Sequence, residues 1–460
     1  MARNLGAGAR TVPAALPREP ECPTPIPLRM SLSFPTNPAA GYLNLPGGIR
    51  HRPPAKPSSR RGDTPPWAVP IIAFCHLSWR GVWQRPQQFL SRLSQRHPVL
   101  FVETHCSDVP ASTLRSHLPP GAPGVTVLEM HLPARRWSDG DFIDLERRRL
   151  LREYRAGDAG RFDGPVLWFN DPMAVTAFAG HAGERAIVYD CMDELAQFRG
   201  APPALAGRER ELLARADVVF CGGRKMREKR LPLNSNCHFY GTGVDCAHFG
   251  AALTPGLAVD PEIAALRGKV FGYFGVVDER LDYPLLAKLA DAYPAASVAI
   301  VGPTAKIDPA ELPRRPNLHW LGARPYDRLP AITKGFDVCL MPFALNAATE
   351  YINPTKALEY MAAGRPVVST ALDEVKSNFS AACVIAGSPE RFVAACGEEA
   401  RFPHPARVQR GLRLARQNTW EAIAAKMEGH LQEALAARGR RAAAENPAPA
   451  VLESPALKYV

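Results

Sequence analysis

Asn353-Pro354-Thr355-Lys356-Ala357-Leu358-Glu359-Tyr360-Met361-Ala362-Ala363-Gly364-Arg365-Pro366-Val367-Val368-Ser369-Thr370 reads as a short helix, a turn and a buried strand. Pro354 is expected at the first helical position, where its missing N–H costs nothing. Gly364 is expected just past the last turn, and Pro366 forbids continuation. The helix is therefore expected over 354–363 and the strand over 366–370. Lys356 falls in the first turn. Glu359 lies one turn on, about 5–6 Å away on nearly the same face. A helix start bearing a lysine attracts phosphate. A carboxylate at that offset can take two sugar hydroxyls. The pair suits a nucleotide diphosphate, with phosphates at the helix end and ribose on the glutamate. The plain alternative is an ordinary Lys–Glu surface pair at i, i+3.

Outward from this stretch, apolar runs alternate with helical patterns. In the first half, strands are expected over 68–74, 99–103, 125–130, 166–170, 186–190, 218–221 and 237–240. Helices are expected over 86–95, 142–154 and 203–216. A second series begins near Lys269, with strands over 270–274, 297–301, 318–321 and 338–342 and helices over 283–292 and 325–335. Helices over 389–399 and 407–429 close it. Two such series imply an α/β chain with two doubly wound parallel sheets, whose ligands sit beyond the carboxyl ends of the strands. The expected division is a disordered Pro/Arg-rich tail over 1–66, a first domain over 67–250 and a linker over 251–267. A second domain follows over 268–406, then a helix over 407–435 and a flexible tail over 436–460.

The chain has 460 residues, enough for two or three domains. Its formal charge is +11, but residues 1–66 hold +6 and 436–460 hold +2, so the expected folded part carries only +3. No basic face or nucleic-acid module stands out, and no nucleic-acid partner is expected. The basic ends suit contact with anionic lipid. Ten cysteines are scattered without a CxxC pair, several inside apolar runs, as reduced cytosolic thiols would be. The histidines show no HxxxH or HExxH spacing, so no metal site is expected. No apolar run reaches the ~18 residues a membrane-crossing helix needs. The N-terminus lacks the apolar stretch of a secretory signal.

Four loops at strand ends carry chemistry. The first, residues 75–87, holds Trp79, Arg80, Gly81, Trp83, Gln84 and Arg85. Tryptophan faces stack on sugars or lipid chains, and arginine forks onto phosphate. The alternative is that the tryptophans pack under the loop and the arginines are solvated. The second loop follows the strand over 186–190 with Asp190-Cys191-Met192-Asp193. An aspartate there can act as general base or cap a helix; Asp190 is favoured for the chemistry and Asp193 for the cap. Asn170-Asp171 is a rival pair. The third loop is Tyr240-Gly241-Thr242-Gly243-Val244-Asp245. The fourth runs from Gly272 through Gly275 to Arg280, where glycine lets a backbone approach phosphate and arginine adds a charge-assisted bond. Neither GxGxxG nor GxxxxGK[ST] occurs, so a classical dinucleotide fold and a P-loop are not supported.

Together these residues resemble a GT-B glycosyltransferase related to glycosyltransferase family 4, of the kind found in bacterial teichuronic-acid and exopolysaccharide biosynthesis. Trp83-Gln84-Arg85-Pro86-Gln87, Tyr189-Asp190 with Asp193, Gly243-Val244-Asp245, Gly272–Gly275, Gly302-Pro303 and the 354–370 run carry the likeness, which covers about 70–435. The resemblance implies a nucleotide diphosphate sugar as donor, a glycan or lipid-linked acceptor and no metal or other cofactor. It implies a cytoplasmic enzyme, peripheral at the inner face of the plasma membrane. Carried over by residue, Glu359 is expected to hold the ribose, and Lys356 and Arg280 to face the diphosphate. Asn353, Thr355 and Gly275 are expected to complete that site. Asp190 or Asp193 is expected to serve catalysis, and Trp79, Gly81, Trp83, Gln84 and Arg85 to line the acceptor side. One departure stands out: the family's second acid, eight residues before Glu359, is replaced by Tyr351, with Glu350 one place off. A GT-B-shaped sugar-nucleotide epimerase and a non-catalytic sugar-nucleotide-binding protein are the competing readings.

Overall fold

Runs such as Ile71-Ile72-Ala73-Phe74 and Val218-Val219-Phe220-Cys221 are buried along their whole length. That is the pattern of parallel strands covered on both faces. The computed structural model describes residues 68–445 apart from 82, 198–199, 306 and 347–348. The tail expected over 1–66 and the last residues of the one expected over 436–460 lie outside the described residues.

The first sheet has eight strands: β1 (Ile71–Phe74), β2 (Val99–Ser107), β3 (Thr113–His117), β4 (Val125–Pro133), β5 (Val166–Phe169), β6 (Ala186–Cys191), β7 (Val218–Cys221) and β8 (Cys237–Phe239). Their order is β3-β4-β2-β1-β5-β6-β7-β8. The second sheet holds β9 (Val270–Phe274), β10 (Ser297–Val301), β11 (Leu318–Gly322), β12 (Val338–Met341), β13 (Val367–Thr370) and β14 (Val384–Ala386), ordered β11-β10-β9-β12-β13-β14. Every pairing among them is parallel except β3 with β4. The all-parallel expectation therefore fails at one edge. Thr113-Leu114-Arg115-Ser116-His117 has no apolar face to betray a strand, and an antiparallel edge on a parallel sheet is a common addition.

The order reverses between β1 and β5 in the first sheet and between β9 and β12 in the second. Ligand crevices open at such reversals, beyond the strands' carboxyl ends.

The helix of the opening stretch spans Lys356–Ala362, two residues shorter at its start than expected. Pro354 stands ahead of it, its carbonyl accepting from the Ala357 amide at 3.3 Å. The Leu358 amide bonds Thr355 in the same way. Its end is as expected. Gly364 has φ +67°, with bonds from Gly364 N to Met361 O (3.0 Å) and Arg365 N to Tyr360 O (3.1 Å). These two bonds make a glycine C-terminal cap. Tyr360, fully buried, accepts from the Phe274 amide at 3.0 Å and so hangs the helix on the end of β9.

The single helix expected over 407–429 is two. Pro405–Gln417 packs on the Lys356–Ala362 helix, and Trp420–Glu445 lies on the first sheet. Gly411 makes the first contact close, since a Cβ there would fall 2.9 Å from Met361. Trp420, Ile423, Met427 and Leu431 are buried with Phe89 and Phe101 in the first domain. Residues 436–445 are thus helical rather than part of a loose tail, as an Ala/Arg-rich run favours. Residues 251–267 are more than a linker, because Ile263 of the Pro261–Ala264 helix is buried in the second core.

Candidate functional site

The loop after β9 and the loop after β12 are zipped together. Leu281 bridges Phe343, and the Ala344 amide donates to Arg280 O at 2.9 Å. This sets Arg280 beside the start of the Lys356–Ala362 helix. Asp278 holds the guanidinium through Arg280 Nε (2.9 Å) and Nη2 (2.6 Å). Gly275, with φ +149°, lies against the Lys356 side chain, so a Cβ there would meet Lys356 Cε at 2.0 Å. Lys356 Nζ sits 5.9 Å from the centre of the Tyr273 ring.

Neither Lys356 nor Glu359 has a side-chain hydrogen bond or ion pair among the described residues, and both are half-buried. Half-buried charges without partners are costly. Burial pushes the Glu359 carboxyl up from its usual 4.5 to about 7, against the pull of the Lys356 ammonium. Burial lowers Lys356, while Glu359 opposes the shift and Arg280 adds to it. Lys356, Glu359 and Arg280 share one electrostatic neighbourhood, in which Asp278 pairs with Arg280 and no ion pair joins Lys356 to Glu359 among the described residues. The amides of Ala357 and Leu358 are already engaged, so the cations, more than the helix end, are what phosphate would meet.

The first domain's rim is arranged differently. Arg85 is buried. Its Nε donates to Asp190 Oδ1 at 2.8 Å, and its Nη1 donates to the carbonyls of Tyr240 (2.5 Å) and Gly241 (3.0 Å). Nη2 lies 2.7 Å from the same Asp190 oxygen, at an angle too poor for a hydrogen bond, so the contact is ionic. Asn170 Nδ2 bonds the other Asp190 oxygen at 3.2 Å. Asp190 is 0% exposed. The arginine expected at the acceptor side is thus an internal tie, and the aspartate favoured for chemistry is its partner.

Asp193 is half-buried, and its carboxylate accepts no hydrogen bond among the described residues, so it caps no helix. The cap expected at Asp193 is thus not made, while Asp190, favoured for the chemistry, is tied to Arg85 and Asn170. Burial raises the Asp193 carboxyl, and the charges of His76, Arg280 and Arg85 act against that. Arg280 belongs to the second domain, so Asp193 feels its charge across the cleft.

Trp79 is 3% exposed and packs edge-on against Phe101 at 5.0 Å, a core residue rather than a cleft residue. Trp83 is 44% exposed, and Gln84 and Gly81 are exposed with it. Asn353 reaches out of its own domain to donate to Gly222 O at 3.0 Å, which spends its amide on the other domain. Thr355 is half-buried at the helix start.

The family model Glycosyl transferases group 1 matches residues 270–398. Those residues are similar to group 1 glycosyltransferases. A curated relative, TuaH of Bacillus subtilis (strain 168), named for teichuronic acid biosynthesis glycosyltransferase activity, is 26% identical over 254 residues. The match covers 50% of this chain and 62% of the relative. Solved structures share the fold. Sucrose-phosphate synthase from Thermosynechococcus elongatus aligns with a TM-score of 0.59 at 14% identity, over 80% of this chain and 100% of its own. HepE of Anabaena, solved with UDP and glucose, gives 0.57 at 14%, over 79% and 100%. An α,α-trehalose 6-phosphate synthase from Burkholderia multivorans gives 0.58 at 12%, over 80% and 99%. The fold is GT-B.

Within the second domain, Gly275, Arg280, Lys356 and Glu359 come together, while Asn353 turns away. Opposite that domain, His76 was not singled out. It stands two residues after β1, at the sheet's reversal, and its Nδ1 is buried without a hydrogen-bond partner among the described residues. A lone histidine among tryptophans and arginines is a faint signal, but a place two residues beyond a strand's carboxyl end is legible in the sequence.

Proposed function

We propose that the chain transfers a sugar from a nucleotide diphosphate sugar to a hydroxyl of a glycan or lipid-linked acceptor in cell-envelope polysaccharide synthesis. The observation that carries this reading is the unpartnered Lys356–Glu359 pair beside Arg280, in the domain that matches the glycosyltransferase model. Glu359 holds the ribose hydroxyls. Lys356 and Arg280 face the diphosphate.

In the proposed step the acceptor oxygen bonds to the anomeric carbon. The bond from that carbon to the diphosphate oxygen breaks, and its electron pair leaves with the diphosphate. The hydroxyl proton passes to Asp193, which is better placed than Asp190 because its carboxylate accepts no hydrogen bond among the described residues. Two cations beside the leaving group suit a departure that needs no metal. Trp83 and Gln84, exposed on the first rim, offer an acceptor contact.

Among the described residues no helix is long and apolar enough to cross a membrane, and nine cysteines are free. We take the enzyme to work in the cytoplasm, touching anionic lipid peripherally. Calorimetry with a panel of nucleoside diphosphates, UDP and GDP included, tests the site. One of them should bind, and Glu359→Ala should abolish that binding. An unchanged affinity in Glu359→Ala refutes the assignment.

A further inference from the structure

Tyr351 stands eight residues before Glu359, where the resemblance expects an acid. Its ring does not turn toward the donor half-site. It packs against the apolar cluster of the first domain, with Lys229 Nζ 5.8 Å from the ring centre. The neighbouring residues do likewise. Glu350 pairs with Lys225 at 3.2 Å, and Asn353 donates to Gly222 O. From the Asp373–Phe379 helix, Asp373 also reaches Lys225, at 2.6 Å.

The centre of this contact is Glu374, which is buried. One of its oxygens accepts from the backbone amides of Arg224 (2.5 Å) and Lys225 (3.3 Å), at the start of the Arg224–Arg230 helix of the first domain. The other accepts from Asn378 Nδ2 at 3.0 Å, and Asn378 Oδ1 in turn accepts from Arg224 Nε at 2.8 Å. A carboxylate of one domain thus caps a helix of the other. Glycines permit the approach: a Cβ on Gly223 would lie 2.9 Å from Glu374 Oε1, and one on Gly241 would lie 2.7 Å from Asn353 Nδ2.

A buried carboxylate needs its donors. Glu374 has these two amides only while the domains are docked. When they part, water must replace both. The contact is therefore made or broken as a unit. One of the two segments that carry it, residues 350–353, leads within three residues into Lys356.

We propose that Tyr351 and Glu374 are positioning residues that clasp the two rims, holding Lys356, Glu359 and Arg280 opposite His76 and Asp193. A position expected to contribute an acid to the donor side contributes an apolar ring to the domain contact instead. The docking stands on geometry alone. Its value to the reaction rests on the transferase reading. The donor-side cluster lies wholly in the second domain, so loss of the clasp separates the rims while leaving nucleotide capture intact.

The experiment uses the full chain. Small-angle scattering and amide hydrogen exchange are compared for wild type, Tyr351→Ala, Tyr351→Phe, Glu374→Ala and Glu374→Gln, with UDP affinity measured alongside. The alanine variants are expected to enlarge the radius of gyration. They should also speed exchange at Arg224 and Lys225 at least about tenfold, with exchange in β1 and β9 unchanged. Tyr351→Phe keeps the ring and Glu374→Gln keeps an acceptor oxygen, so both are expected to behave as wild type. UDP affinity is expected to stay within about twofold throughout. Unchanged scattering and unchanged exchange at those two amides in the alanine variants overturn the clasp. So does equal damage in the conservative variants. If wild type binds no nucleoside diphosphate, the transferase reading fails, and scattering and exchange still decide the clasp.

Discussion

The two rims of the cleft carry similar residue types and use them in opposite ways. On the first, buried Arg85 and Asn170 both hold the Asp190 carboxylate. On the second, Lys356 and Glu359 have no side-chain hydrogen bond or ion pair among the described residues. A charge bound to its own fold is scaffold. A half-buried charge left without a partner costs stability and is kept for something outside the chain.

The comparison breaks most sharply at Arg85. Removing one member of a buried pair strands the other, so Arg85→Met should lose about 3–5 kcal/mol in urea unfolding. UDP affinity of the folded fraction should hardly move. If stability is kept and UDP binding lost, the first rim is a binding site after all.

Lys356→Met should do the reverse. UDP affinity should fall about 10- to 100-fold by calorimetry, as expected for a lost charge-assisted bond. The unliganded melting temperature should stay the same or rise.

Glu359→Gln sharpens the contrast through pH. The folded carboxyl titrates near 7, above the 4.5 of an ordinary glutamate. Between those values the folded chain holds more protons than the unfolded one, so stability falls as pH rises through the interval and stays low above it. The glutamine variant should therefore gain about 1–3 kcal/mol at pH 8 and nothing at pH 4. A gain that does not vary with pH would mean that Glu359 is ionised without penalty, and so has a partner.

The smallest effect is expected at Trp83. Its ring is substantially exposed, and Trp83→Ala should change unfolding free energy by under about 0.5 kcal/mol. A loss of several kcal/mol would place it in the core with Trp79.

The paired βα series and the motif helix's glycine end were legible because apolar runs and helix punctuation are local signals. β3 was hidden because Leu114 alone of its five residues is apolar, too little to mark a face. The roles of Arg85 and Asp190 were illegible for a different reason. They lie 105 residues apart, and sequence displays a charge without its partner. The different settings of Asp190 and Asp193 escaped for the same reason: which of two aspartates is buried depends on the strand's last pleat and the arginine waiting there. Tyr351 was visible as a departure, but nothing local said that its ring would join the other domain's core.

The chain passes between its domains twice, once after β8 and once at Asn418-Thr419. The two passages are stitched side by side by the bridge between Val244 and Thr419 and by the Val244 amide on Asn418 O at 3.0 Å. Two adjacent covalent crossings define a single hinge line. Once the clasp at Glu374 is released, swinging about this line leaves the stitch intact, whereas sliding or twisting would tear it. Opening is thereby reduced to one coordinate, and a small rotation at this pivot, acting through the length of a domain, becomes a wide gape at the far lip.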